Sequence, residues 1–184
     1  KLLAAMIAES PRFVPALYEL AAIDAAEQRY DESLAGLKKT LSINPKHLPS
    51  LLLQARIGLL QGRVDESEKL LEEVLREFPN SPQAHLEMAR VQLRKGNSAK
   101  ADYELREALR LAPQYVEAAL ALSELDIRAG RYAAAIGRLL PVARSPSSVR
   151  PSALLLVGAA QRMSGAWEDS LKTYGELAGL LPDS

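Results

Sequence analysis

The sequence predicts an all-α solenoid of stacked helix–turn–helix units, and three observations carry that prediction. First, prolines at 11, 45, 79 and 113 stand 34 residues apart, and Pro182 follows two periods plus one residue after Pro113. A fixed period in the 20–50 residue range marks a repeat architecture, in which each unit buries its apolar face only against its neighbours. Second, each interval repeats one grammar: a helical stretch with apolar residues at i, i+3, i+4 and i+7, a glycine turn, a second amphipathic helix and a closing proline. Third, strand signals are missing: no period-2 alternation is sustained and no Asn-Gly hairpin turn occurs.

Taken in order, the elements are helices over residues 1–9, 14–27, 31–43, 48–61, 65–77, 82–95, 99–111, 116–129, 132–144, 151–163 and 167–180. Residues 1–13 hold the second helix of a unit whose first helix is missing, so the chain reads as a segment of a longer array. Complete units then span 14–47, 48–81, 82–115, 116–150 and 151–184. Inside them the turns are Gln61-Gly62-Arg63, Lys95-Gly96-Asn97, Ala129-Gly130-Arg131 and Ser164-Gly165-Ala166. Glycine there accepts the left-handed conformation that ends a helix. The fourth unit carries one extra residue and an interior proline, Pro141, which removes a hydrogen bond to the Gly137 carbonyl. A bent or shortened helix and a local change of superhelical pitch are expected there.

Composition excludes several classes of function. Twenty-three basic and twenty-three acidic residues cancel, leaving no global electrostatic reason to bind nucleic acid or an anionic membrane. Cysteine is absent, which rules out disulfides and thiolate metal sites. The longest apolar or glycine run, Ala153–Ala160, is far short of the about 18–20 residues of a membrane span, so no direct membrane insertion is expected. The compartment, cytoplasmic or periplasmic, stays open.

Small and large positions recur in register. Leu20-Ala21, Gln54-Ala55, Met88-Ala89, Leu122-Ser123 and Val157-Gly158 place a small residue in the first helix, where two helices cross closely. Ser33, Ser67, Ala101, Ala135 and Ser170 do so in the second helix. Leu37, Leu71, Leu105, Leu139 and Tyr174 fill a large slot four residues later, and Tyr30, Tyr132 and Trp167 follow the turn. This pattern resembles the tetratricopeptide repeat, W-x2-L-G-x2-Y, then A-x3-F, then P over 34 residues, although Leu17, Leu51, His85, Ala119 and Leu154 replace its tryptophan. The resemblance covers the whole chain and implies a right-handed α-solenoid.

In that family the first helices line a concave groove that binds extended or helical peptides. The resemblance therefore implies a ladder of Tyr18, Leu52, Leu86, Leu120 and Leu155, with Arg56, Arg90 and Glu124 beside it. Leu59, Leu93, Ile127 and Arg162 lie nearer the turn, with Arg94 and Arg128 adjacent. An apolar stripe edged by arginines suits a protein or peptide partner with apolar anchors and carboxylates, since guanidinium pairs with carboxylate through two bonds. Arginines solvating the groove over leucines are the alternative. The Lys/Asn clamp with which some members grip heat-shock chaperone tails is absent: its slots hold Tyr18, Leu52, Ala22 and Leu53. At the far end Leu171, Tyr174, Leu177 and Leu181 lie where a following helix should pack, which points to end-to-end self-association as a second route. No convergent polar constellation, zinc motif or phosphate loop occurs, so neither catalysis nor a cofactor is expected; His85 reads as an interface residue. The run from Asp65 to Glu77 reads as a helix start and a solvated face. The function expected is a non-catalytic interaction scaffold. The alternative is a regulatory or assembly array of a larger protein, either of bacterial envelope export or of an enzyme whose catalytic module lies outside this segment. The Ala/Leu/Arg-rich style resembles long bacterial envelope and exopolysaccharide arrays.

Overall fold

The computed structural model describes residue 3, residue 6 and residues 9–180, and places ten α-helices and no strand among them. They are α1 (Val14–Ala26), α2 (Tyr30–Ile43), α3 (Leu48–Leu60), α4 (Val64–Glu77), α5 (Pro82–Arg94), α6 (Ser98–Leu111), α7 (Val116–Arg128), α8 (Tyr132–Arg144), α9 (Arg150–Met163) and α10 (Trp167–Ala178). The ends fall within two residues of the expected ones. The helix expected over 1–9 lies largely outside the described residues.

The chain divides into two compact units, Lys1–Asn97 and Ser98–Ser184; the division falls at the turn inside the third expected repeat. In unit 1, α1 packs on α2, α2 on α3, α3 on α4 and α4 on α5, while α1 also touches α3 and α3 touches α5. Unit 2 repeats the scheme with α6 on α7, α7 on α8, α8 on α9, α9 on α10, and α7 touching α9. Within each unit the first helices of consecutive repeats thus meet directly.

The turns follow from local chemistry. Gly62, Gly96, Gly130 and Gly165 have φ of 79°, 78°, 75° and 85°. In the equivalent first turn Gln28 takes the same conformation, at φ 61°, where a side chain is disfavoured. Each turn closes with a bond from an N–H to the carbonyl five residues back: Arg29 to Asp24 and Arg63 to Gly58 at 2.8 Å, Arg131 to Asp126 at 2.8 Å and Ala166 to Gln161 at 2.9 Å. These bonds satisfy carbonyls that the helix ends leave open.

Within each pair the small residues set the crossing. A Cβ on Gly36 would meet the Cβ of Ala21 at 3.0 Å. The hydroxyls of Ser33, Ser67 and Ser170 donate across the crossing to the carbonyls of Ala21, Ala55 and Gly158, at 2.7, 2.9 and 2.9 Å. Behind them Leu37, Leu71, Leu105 and Leu139 are buried. α8 runs through Pro141 to Arg144, so the expected shortening does not occur. Pro141 and Gly137 are both exposed, and water can meet the carbonyl that loses its donor.

Candidate interaction surfaces

The first-helix ladder of unit 1 is built by α1, α3 and α5. Tyr18 and Leu52 are half-buried on it, and the Tyr18 ring meets His47 edge-on with centroids 5.3 Å apart. Burial, then the Glu19 carboxylate, raise the Tyr18 pKa. Leu86, expected beside them, is buried at 1% exposure. It belongs to the core of unit 1. Leu59 is buried too, in a cluster with Ala55, Leu71, Met88 and Val91. One residue further on, Leu60 is 61% exposed. A single helical step of about 100° separates core from surface, and Leu60 shares its register with Arg94, Arg128 and Met163. Leu93 is half-buried and Arg94 exposed.

Arg56 and Arg90 do not stand free. Both bind Glu87, a residue that the sequence reading missed. Arg56 Nε donates to Glu87 Oε1 at 2.9 Å, its Nη2 also reaches that oxygen, and Arg90 Nη1 donates to it at 2.7 Å. The Glu87 side chain is 3% exposed, against 48% for Arg56 and 37% for Arg90. Its second oxygen, Oε2, is buried without a hydrogen-bond partner. The signal that could have shown this is an acid at the register of Leu53, three residues before an arginine.

In unit 2 the corresponding face holds Leu120, half-buried, and Leu155, 52% exposed. Glu124, Arg128 and Arg162 are exposed, as is Met163 at 49%. Ile127 is core, packed with Ala135 and Ala160. Behind this face lies an ion-pair network. Arg131 Nε donates to Asp126 Oδ1 at 2.5 Å and its Nη2 to Asp102 Oδ1 at 2.7 Å. Arg106 Nε donates to Asp102 Oδ2 at 2.5 Å. Arg138 Nη1 sits 2.8 Å from Asp126 Oδ2, an ion-pair distance without hydrogen-bond alignment. The Arg106 hydrogen bond holds the Asp102 carboxyl below its usual range.

At the end of unit 2, Leu171 is 76% and Trp167 67% exposed. They are four residues apart on α10 and share a face. Tyr174 is half-buried: its ring covers Gly158, where a Cβ would meet it at 2.8 Å. Leu177 packs on Ala143, Ala153 and Leu154. Leu181 lies outside the described residues. The aromatic partner of Leu171 on the open face is thus Trp167, which the sequence reading used only as a repeat marker.

Among the described residues no group of three or more His, Cys, Asp or Glu side chains could hold a metal, and no helix is long and apolar enough to cross a membrane. His85 Nε2 lies 3.0 Å from the Pro79 carbonyl, a bond within the repeat junction.

A model of the tetratricopeptide repeat matches residues 12–82, 52–116 and 86–148, well over half of the chain. The chain belongs to the tetratricopeptide repeat family. Solved tetratricopeptide repeat structures match its fold at low identity. The pilF protein of Pseudomonas aeruginosa is 19% identical with a TM-score of 0.77, over 99% of this chain and 82% of that one. YrrB, described as having an unusual peptide-binding site, is 15% identical with a TM-score of 0.66, over 100% and 94%. The MamA protein is 17% identical with a TM-score of 0.65, over 89% of each chain. No curated protein matches the chain. Tetratricopeptide repeats are typical of protein–protein interaction scaffolds, and that coarse role is the one the family supports here.

Proposed function

We propose that this protein is a non-catalytic interaction module whose first-helix ladder in unit 1 receives a partner segment with an apolar anchor and a carboxylate. One observation carries the reading. Leu60 and Arg94 stand exposed one repeat apart, on a face whose other arginines, Arg56 and Arg90, are held in place by Glu87. Two of these arginines share one buried acid and Arg94 adds a third cation, so the four residues keep a positive surplus beside an apolar side chain. A guanidinium fixed in advance loses less freedom on meeting a carboxylate. The peptide site named for YrrB supports a peptide ligand for the fold. Selection from a random peptide display library should enrich leucine-type residues next to Asp or Glu. Arg94→Glu should then weaken the selected peptides about tenfold, as expected for reversing a charge at a contact. Selected peptides without acids, or an unchanged affinity, would refute the reading.

A second reading rests on Trp167 and Leu171. In earlier repeats the residue at the Trp167 register packs against the next first helix: Tyr30 joins the cluster of Ala21, Leu37 and Ile57, and Tyr132 that of Ile127 and Ala160. A second copy could supply such a helix. Sedimentation equilibrium should then show association that Trp167→Ala with Leu171→Ser abolishes; a monomer at every concentration rejects it.

A further inference from the structure

The strongest unassigned feature is a crevice of about 530 Å³ in unit 1, on the opposite side of α3 from the ladder residues. Leu34, Lys38 and Leu41 of α2 line it, with Ala55 and Gly58 of α3 and Leu70 of α4. Arg63 and Glu66 stand at its rim, and Gln54 and Ser67 complete it. A related crevice of about 270 Å³ lies two periods later in unit 2, where Asp102, Arg106 and Arg131 stand at the registers of Leu34, Lys38 and Arg63.

In unit 2 three cations, Arg106, Arg131 and Arg138, surround two acids, Asp102 and Asp126. At the same registers of unit 1 the first two cations persist as Lys38 and Arg63, whereas the acids are replaced by Leu34 and Gly58. The Arg138 register holds Leu70. The first crevice therefore keeps two of the three positive charges, lacks both of these carboxylates and has gained apolar walls. Gly58 is the only one of its register without a polar side chain: the others are Asp24, Gln92, Asp126 and Gln161. Lys38 is exposed and its ammonium makes no hydrogen bond or ion pair among the described residues. Arg63 donates to Gln61 Oε1 at 2.6 Å and lies 3.9 Å from Glu66 Oε2.

We infer that this crevice binds a small aliphatic monocarboxylate, whose charge replaces the missing Asp and whose chain lies against Leu34, Leu41 and Leu70. The volume falls in the range of ligand pockets, about 300–1,000 Å³. Two rim cations and Glu66 leave one net positive charge, which matches a carboxylate and disfavours a dianion such as phosphate. The apolar walls account for an aliphatic tail, since burying each CH₂ contributes about 0.8 kcal/mol. A free small molecule fits better than a side chain of a partner because three helices wall the crevice.

The test is octanoate titrated into the full chain, read by amide chemical shifts. Saturable binding with shifts clustered at Leu34, Ala55, Gly58 and Ser67 is expected. Octanol should bind about tenfold more weakly, as loss of a charge-assisted contact implies. Lys38→Gln should weaken octanoate by a similar factor, with an unchanged melting temperature because Lys38 is exposed. Leu34→Asp, which restores the Asp102 carboxylate of unit 2, should abolish binding. Four results would each overturn the inference: no saturation by about 10 mM, weaker than any useful site; equal binding of octanol; unaltered binding by Lys38→Gln; or binding of a peptide ending in leucine carboxylate in place of octanoate.

Discussion

Removing both arginines that clasp Glu87 should cost far more than removing either. Glu87 is 3% exposed and its Oε1 takes all three guanidinium contacts. If Arg56→Ala is made alone, Arg90 still holds the carboxylate, and the reverse also holds. Arg56→Ala removes two contacts that share one oxygen and Arg90→Ala removes one, each from a partly exposed arginine, a loss of about 1–1.5 kcal/mol apiece. The double variant leaves a buried carboxylate with no counter-charge and an Oε2 that was already unpartnered. Stranding a buried ion costs about 3–5 kcal/mol, a large share of the about 5–15 kcal/mol that holds a domain together. The double loss should therefore exceed the sum of the singles by about 1–2 kcal/mol. Adding Glu87→Leu should rescue most of it. The register already accepts Leu53 in the preceding repeat, and an apolar side chain of similar volume replaces a buried ion group at little cost. Urea denaturation followed by circular dichroism of the four variants and the unmodified protein measures this. Additive single and double losses, or failure of Glu87→Leu to rescue, would refute the claim that the triad is one unit.

Three further outcomes follow from particular residues. Gln28→Gly should raise stability by about 0.5–1 kcal/mol, because glycine adopts φ near 61° without the cost that a side chain meets there; a lower melting temperature would contradict this. Pro141→Ala should stabilise α8 by about 1–3 kcal/mol by restoring an N–H for the Gly137 carbonyl, and an unchanged urea midpoint would show that the helix absorbs the proline without cost. The Asp102 carboxyl lies below its ordinary value of 3.8 through the Arg106 hydrogen bond. Its pairing thus stabilises the fold above 3.8 and is lost as pH falls through the lowered folded-state value. Asp102→Asn should therefore flatten the acid side of the stability–pH curve, and an identical curve would show that Asp102 carries none of that dependence.

Much of the architecture is legible because it is periodic. Glycine turns at 62, 96, 130 and 165, small residues at 21, 55, 89 and 123, and leucines at 37, 71, 105 and 139 each state a local requirement that one chain position can meet. Surface and core are less legible. Leu59 and Leu60 are adjacent leucines with the same propensity, yet one is core and the other is 61% exposed. Periodicity alone leaves the rotation of the helix uncertain by one residue, and one residue is enough to exchange faces.

By itself the sequence determined the helix–turn–helix unit, its 34-residue period, its turns and its family, since these follow from backbone sterics and local spacing. Only the tertiary structure decided which arginines are already paired. Arg56 meets Glu87 across 31 residues and Arg131 meets Asp102 across 29, between helices of successive repeats. It also decided that Leu34 and Gly58 line a crevice of about 530 Å³ where, two repeats later, Asp102 and Asp126 are held by arginines. Such charges act over a few ångströms of space, and that distance is set by how one repeat packs on the next.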